Sequence, residues 1–242
     1  MSGHSKWSKI QHKKGRTDKA RSNLFTKLLR SVTLAAQEGG MDPDMNFSLR
    51  LAVEKAKAGN VPKDNIDRAI KKGGGAAKDG VVFEEVVYEG FGPHGVALII
   101  EALTDNKNRT VSEIKHLLAK SGGSLAGPGS VQWQFDHVGV ARISSAALAT
   151  APHWEETQLR LMDAGVLDII HKDDGMECIC AKEDLQQVLG ALQEQHIFPS
   201  ESGLEWVPKE SVTVDEAVGE MIGDLYDMLE ENDDVRDVYM NI

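Results

Sequence analysis

Seven side chains near the start of the chain have the types and spacing needed to hold a polyanion. In the stretch HSKWSKIQHKKGR, the cations Lys6, Lys9, Lys13, Lys14 and Arg16 alternate with Trp7 and His12. Lys and Arg neutralise phosphates, and a tryptophan face stacks an unpaired base, a contact worth roughly 1–3 kcal/mol. Arg21, Lys27 and Arg30 extend the same set toward residue 30. This mixture suits irregular RNA or single strands. Duplex DNA is read by a helix in the major groove, and no helix-turn-helix spacing with a recognition helix is evident, so shape-tolerant phosphate contact is the expectation.

Other stretches offer weaker chemistry. The run Gly90-Phe-Gly-Pro-His-Gly95 has the letters of a dinucleotide fingerprint. It joins two strands and contains Pro93, whereas that site needs strand, turn and helix in order. Gly73-Gly-Gly lacks the Lys-Ser/Thr of a phosphate loop. In Thr104-Asp-Asn-Lys-Asn-Arg-Thr110, Lys107 and Arg109 stand before a helix and could bind an anion there, although Asn108 or Thr110 as a simple helix cap is the plainer reading. Cys178 and Cys180 fall on one face of a strand, where adjacent thiols form no disulfide framework and lack the companions of a metal site. They are expected to be buried in a reducing compartment. No metal, no cofactor and no catalytic triad is predicted.

Charge sorts the chain into two ends. The first thirty residues carry nine Lys and Arg against Asp18 alone, a local +8, while the whole chain of 242 residues has a net charge of -11. Residues 1–78 hold 17 Lys and Arg against 7 acids, for +10, and the remainder holds 10 against 31, for -21. A negative body repels a phosphate backbone that a positive head attracts, so contact is expected at one end of the molecule. The composition, 41% hydrophobic, supports globular cores, and no aliphatic run approaches the roughly 18 residues of a membrane span. The start lacks the apolar core of a secretory signal, which predicts a cytoplasmic protein with no membrane partner.

The elements that must carry these residues follow from periodicity. Over 18–38, Leu24, Phe25, Leu28, Leu29, Val32, Ala35 and Ala36 share one arc of a helix, while Arg16, Lys19, Lys27 and Arg30 lie opposite. Arg21 and Leu34 break that pattern. Helices over 49–58 and after Pro62 complete a small bundle, with the acid-to-base pairs Asp64 to Arg68 and Asp67 to Lys71 expected along the third. Residues 73–80 read as a flexible tether. Strands over 82–89 and 96–104, a helix over 111–119 and a strand placing Val131, Trp133 and Phe135 on one face come next. From 138 a β-α-β-β-α-β series of ferredoxin-like order appears. A helix over 215–231, with Val214, Ala217, Val218, Met221, Ile222, Leu225 and Met228 inward and Glu216, Glu220, Asp227, Glu230 and Glu231 outward, precedes a last strand over 235–240. The fold class expected is α+β: a helical bundle (1–78) followed by two ferredoxin-like α/β domains, one (138–206) inserted in the other (79–137 plus 207–242).

HSKW with IQHKK, FTKLLR, DPDMNFSLRLAVEKAKAGNVPKDNIDRAIKKG, YEGFGPHGVALIIEALTDNKNRT and SGGSLAGPGSV together resemble the YebC/PmpR family of transcriptional regulators across essentially the full chain. The resemblance implies an N-terminal helical domain and two α/β domains, one interrupting the other. It implies a cytoplasmic DNA-binding regulator of transcription. Mitochondrial relatives, among them the translational activator of cytochrome c oxidase, and ribosome-linked bacterial ones imply the alternative: a translation factor binding ribosomal or transfer RNA. Where family members often carry Gly, this chain has His94 and Ala126. A nucleotide-acting enzyme with an interdomain cleft, and a protein adaptor docking through the acidic helix, rank lower. The expectation is therefore a non-enzymatic nucleic-acid-binding protein, with a further protein partner conceivable for the acidic α/β part.

Overall fold

The computed structural model describes residues 18–76, 83–149 and 154–242, with side chains of the first helix described from residue 22. The protein is α+β: a helical region, then two four-stranded sheets with helices. It divides into two compact units, the described residues of Met1–Phe135 with Pro208–Ile242, and Asp136–Val207.

In the first unit, α1 (Asp18–Gly39) ends where Gly40 turns to φ 90°. Asn46 then joins two helices. Its Oδ1 accepts from the amide of Leu49 to cap α2 (Phe47–Ala58), while its Nδ2 donates to the carbonyls of Ala35 and Gly40 at the end of α1. After Pro62, α3 (Lys63–Lys71) closes the bundle over Val32, Leu49, Ala56 and Ile66. The expected tether begins as packed structure. Residues Lys72–Ala76 continue as one wide turn, and a Cβ on Gly73 would lie 2.3 Å from the Thr33 carbonyl, so glycine is what permits this close approach. The pairs Asp64–Arg68 and Asp67–Lys71 do not form among the described residues. Arg68 turns instead to the Asp64 carbonyl and the Asn65 side chain, a shorter reach along the same helix.

Strand β1 (Glu84–Phe91) pairs with β2 (Ala97–Thr104) from Glu84 opposite Thr104 to Phe91 opposite Ala97. Helix α4 (Lys107–Lys120), β3 (Ser124–Ala126), α8 (Glu216–Glu230) and β8 (Val235–Met240) complete this layer, in sheet order β3-β1-β2-β8. Ile114, Leu118, Ile222 and Leu225 pack against Leu98 and Ile100 of the central strand. Every residue of β2 is buried, as a strand covered on both faces must be. The buried stripe of α8 is Val218, Ile222, Leu225 and Leu229. It is narrower than expected: Ala217 is exposed and Met221 is 46% exposed, because Leu229 continues the stripe where Met228 was assigned.

The Gly92–Gly95 turn carries a residue in the left-handed region. His94 has φ 57°, which an L side chain tolerates at a cost of about 1 kcal/mol. His94→Gly should therefore raise stability by at most about 0.5 kcal/mol, net of the unfolded chain's extra freedom, read as a slightly higher urea midpoint.

The strand expected through Val131, Trp133 and Phe135 is replaced by a turn. Gln132–Gln134 is a single 3-10 turn, and Trp133 is 67% exposed. A buried carboxylate explains the departure. Glu89 of β1 accepts the amides of Gly129 (2.5 Å), Val131 (2.7 Å) and Gln132 (2.9 Å), bending the chain where a ladder would extend it. Burial would raise the Glu89 pKa, but these amides outweigh it and hold the group below the usual carboxylate range.

In the second unit, β4 (Phe135–Ser144), a short α5 (Ser145–Ala149), α6 (Trp154–Asp163), β5 (Val166–Lys172), β6 (Gly175–Ala181), α7 (Leu185–Glu194) and β7 (Glu201–Pro208) follow the β-α-β-β-α-β order. The sheet order β5-β6-β4-β7 puts β4 and β6 in the middle, the ferredoxin-like arrangement. Cys178 and Cys180 are fully buried on one face of β6. Arg142 holds Glu205 with both terminal nitrogens, at 2.6 and 2.7 Å, and Glu177 with Nε at 3.0 Å, locking β4 to its neighbours.

Candidate nucleic-acid interface

Lys6, Trp7, Lys9, His12, Lys13, Lys14 and Arg16 lie outside the described residues. Arg21 belongs to α1. The remaining predicted contacts are described, and four cations meet carboxylates or carbonyls of their own chain.

Lys27 is only 9% exposed and donates to the carbonyl of Glu230, the last residue of α8. A cation is favoured at that end of a helix. Burial draws its pKa below the ordinary lysine value, against the opposing pull of Glu230, Asp237 and Asp233. Arg30 donates to the Asp233 carbonyl at 2.7 Å and pairs with the Asp234 carboxylate at 3.0 Å. Lys55 of α2 pairs with Asp237 at 3.2 Å. The face of α1 expected to be open is thus covered by the segment between α8 and β8, and Lys27 and Arg30 serve folding contacts there. Leu34, which interrupted the polar arc, is buried beside Phe83 and Leu103.

At the start of α4 an anion is indeed held, and the chain supplies it. Asp234 accepts from Thr104 Oγ1 (3.1 Å), Thr110 Oγ1 (2.8 Å) and Arg109 Nη2 (2.7 Å). Its side chain is 4% exposed. Burial alone would raise its pKa, but the hydrogen bonds from Arg109 and Thr110 and the charge of Arg109 outweigh burial and lower it. Arg109 also pairs with Asp105, and Lys107 pairs with Glu84 at 2.5 Å. The cap is Asn106, whose side chain accepts the Arg109 amide, rather than Asn108 or Thr110. Lys107 and Arg109, candidates for an external anion, are engaged within the fold.

An open cationic surface appears elsewhere in the helical region. Between α1 and α3 runs a groove of about 500 Å³, lined by Arg30, Arg68, Lys72, Asn65 and Thr26 with Phe83 at its base. Arg30 and Lys72 stand over the Phe83 ring at 5.4 and 5.9 Å from its centre. Periodicity alone misses this groove, since it assigns Arg68 to Asp64 and treats Lys72 as a helix end. The Lys71-Lys72 pair directly before three glycines was the available signal.

The buried thiols are poor nucleophiles, since burial pushes both Cys178 and Cys180 up to about 11. Among the described residues no group of three His, Cys, Asp or Glu is placed to hold a metal ion, and no helix is long and apolar enough to cross a membrane.

Residues 5–76 match the family described as the TACO1/YebC protein N-terminal domain, and residues 83–242 the TACO1/YebC second and third domain. A protein of Maridesulfovibrio salexigens named "Probable transcriptional regulatory protein" is 46% identical over 243 aligned positions, covering 100% of this chain and 95% of that one. One of the same name from Thermosipho melanesiensis is also 46% identical, over 100% and 93% of the two chains. The crystal structure of a conserved hypothetical protein from Aquifex aeolicus superposes with a TM-score of 0.82 at 37% identity, covering 96% of this chain and 94% of that one. With two family matches spanning nearly the whole sequence, the chain belongs to the TACO1/YebC family.

Proposed function

We propose that the protein is a non-enzymatic, cytoplasmic regulator of gene expression that binds nucleic acid through its basic N-terminal part. Residues 1–78 bind; the α/β parts, 79–137 with 207–242 and the inserted 138–206, position that region or recruit partners. The observation that carries this reading is charge segregation: +10 over residues 1–78 against -21 over the rest. The name shared by the relatives supports regulation of transcription. Lys6, Lys9, Lys13, Lys14 and Arg16 supply phosphate contacts, with Trp7 as a stacking platform, His12 among them and Arg21 as their continuation on α1. Lys27 and Arg30 contribute by fixing α1 in place.

Trp7→Ala tests the arm and its ligand together. Affinity for an unpaired RNA strand should fall about tenfold, the equivalent of a lost stacking contact, while affinity for a DNA duplex of equal length changes less than about twofold. Equal small changes on both ligands would remove Trp7 from the interface.

A further inference from the structure

We propose that the groove between α1 and α3 is a binding site for a single nucleic-acid strand, with Arg68 and Lys72 taking its phosphodiesters and Arg30 adding charge from the wall. This rests on the nucleic-acid reading above and specifies a second contact surface beyond the N-terminal arm.

Charge complementarity comes first. The lining holds Arg68 and Lys72, together with Arg30, whose charge is shared with Asp234 behind it, and no carboxylate, in a chain whose net charge is -11. An anionic polymer is the ligand that such a lining favours. With a volume of about 500 Å³, the groove has room for one strand between the two helices.

The groove is also preformed. Thr33 Oγ1 donates to the Leu29 carbonyl of its own helix at 2.9 Å and reaches the Ala69 carbonyl of α3 at 3.3 Å, pinning one helix to the other. The close approach of Gly73 to Thr33 fixes the turn that begins at Lys72. Arg68 uses Nε on the Asp64 carbonyl and Nη2 on Asn65, leaving other guanidinium N–H groups of its five for a phosphate. Arg30 is oriented by Asp234 and by the Phe83 ring. The result is a cationic channel, and a positively charged groove is what tracks the backbone of a single strand without reading its sequence. Phe83 itself is 8% exposed, so it orients cations here and offers little face to a base.

The test compares the full-length chain with Arg68→Ala/Lys72→Ala and, as a charge-matched control outside the groove, Lys57→Ala/Lys63→Ala. All four residues are exposed. Fluorescence anisotropy is read against a labelled 12-nucleotide oligouridylate, its deoxy counterpart and a 12-base-pair duplex across a salt series. The groove variant should bind single strands about tenfold more weakly, with a log-log salt slope flatter by about 1.4, as two lost phosphate contacts require. Duplex affinity and the control variant should change less than twofold. Loss on the RNA strand, the DNA strand or both supports the groove and identifies what it takes. An unchanged groove variant, an equal loss in the control, or an equal loss on duplex overturns it while leaving the arm standing. A parent chain that binds none of the three ligands overturns groove and arm together.

Discussion

Replacing Asp234 by Ala should cost about 3–5 kcal/mol of folding stability, the largest effect expected of a single substitution in this protein. The carboxylate is almost fully buried and gathers Arg30 from α1, Arg109 and Thr110 from α4 and Thr104 from β2 onto the residue preceding β8. Its removal leaves the buried Thr104 and Thr110 hydroxyls without this acceptor, Arg30 without its carboxylate and Arg109 with Asp105 alone. In thermal unfolding this corresponds to a melting point lower by roughly 10 °C. A loss below about 1 kcal/mol would mean that these groups find other partners and that Asp234 is not the joint of this unit.

The same residue sets the sign of the pH dependence. Its folded pKa lies below the unfolded value, so the folded state is favoured at pH above the ordinary carboxylate range. That contribution is lost as pH falls from the unfolded pKa through the folded one. Glu89 and Asp237 are shifted in the same direction, the first by backbone amides overcoming burial, the second by Lys55 and Arg236 overcoming burial. Stability should therefore hold down to about pH 5 and decline below the ordinary carboxylate range. The decline should be shallower in Asp234→Asn, which no longer titrates there.

The second large effect concerns affinity. Deleting residues 1–16 removes five Lys and Arg together with Trp7 and His12. Nucleic-acid affinity at moderate salt should fall by about a hundredfold or more, since five phosphate contacts dominate binding of this type. The described structure also lowers the ceiling on such contacts. Of the nine cations in residues 1–30, Lys27 and Arg30 are bound within the fold, which leaves seven and a limiting salt slope on duplex DNA of about -6.

Local periodicity carried much of the architecture. The three helices of the bundle, the strands β1 and β2 and the ferredoxin-like series follow from apolar spacing and from Gly and Pro at the boundaries, because those signals act over a few residues. The parts that were not legible depend on residues far apart in sequence. Trp133 alternates as a strand residue would, and only the carboxylate of Glu89, more than forty positions earlier, bends that stretch into a turn. Lys27 and Arg30 sit on the polar arc of α1, and nothing nearby in sequence shows that residues 230–234 cover them. Leu34 was the clue. A leucine on a charged arc argues that the arc is covered, and it packs beside Phe83 and Leu103. Likewise, Lys107 and Arg109 stand at a helix start that does hold an anion, but the partner is Asp234 of the same chain.

The central claim, that attraction for phosphates resides in the basic N-terminal part, is tested most directly by the salt dependence of binding. The parent chain and the chain lacking residues 1–16 are titrated with the same labelled strand and duplex over a range of salt. The truncated chain should show slopes flatter by about 3.5 on the single strand and about 4.5 on the duplex, five contacts at 0.7 and 0.9 each. Slopes that coincide would place phosphate binding elsewhere and contradict the claim.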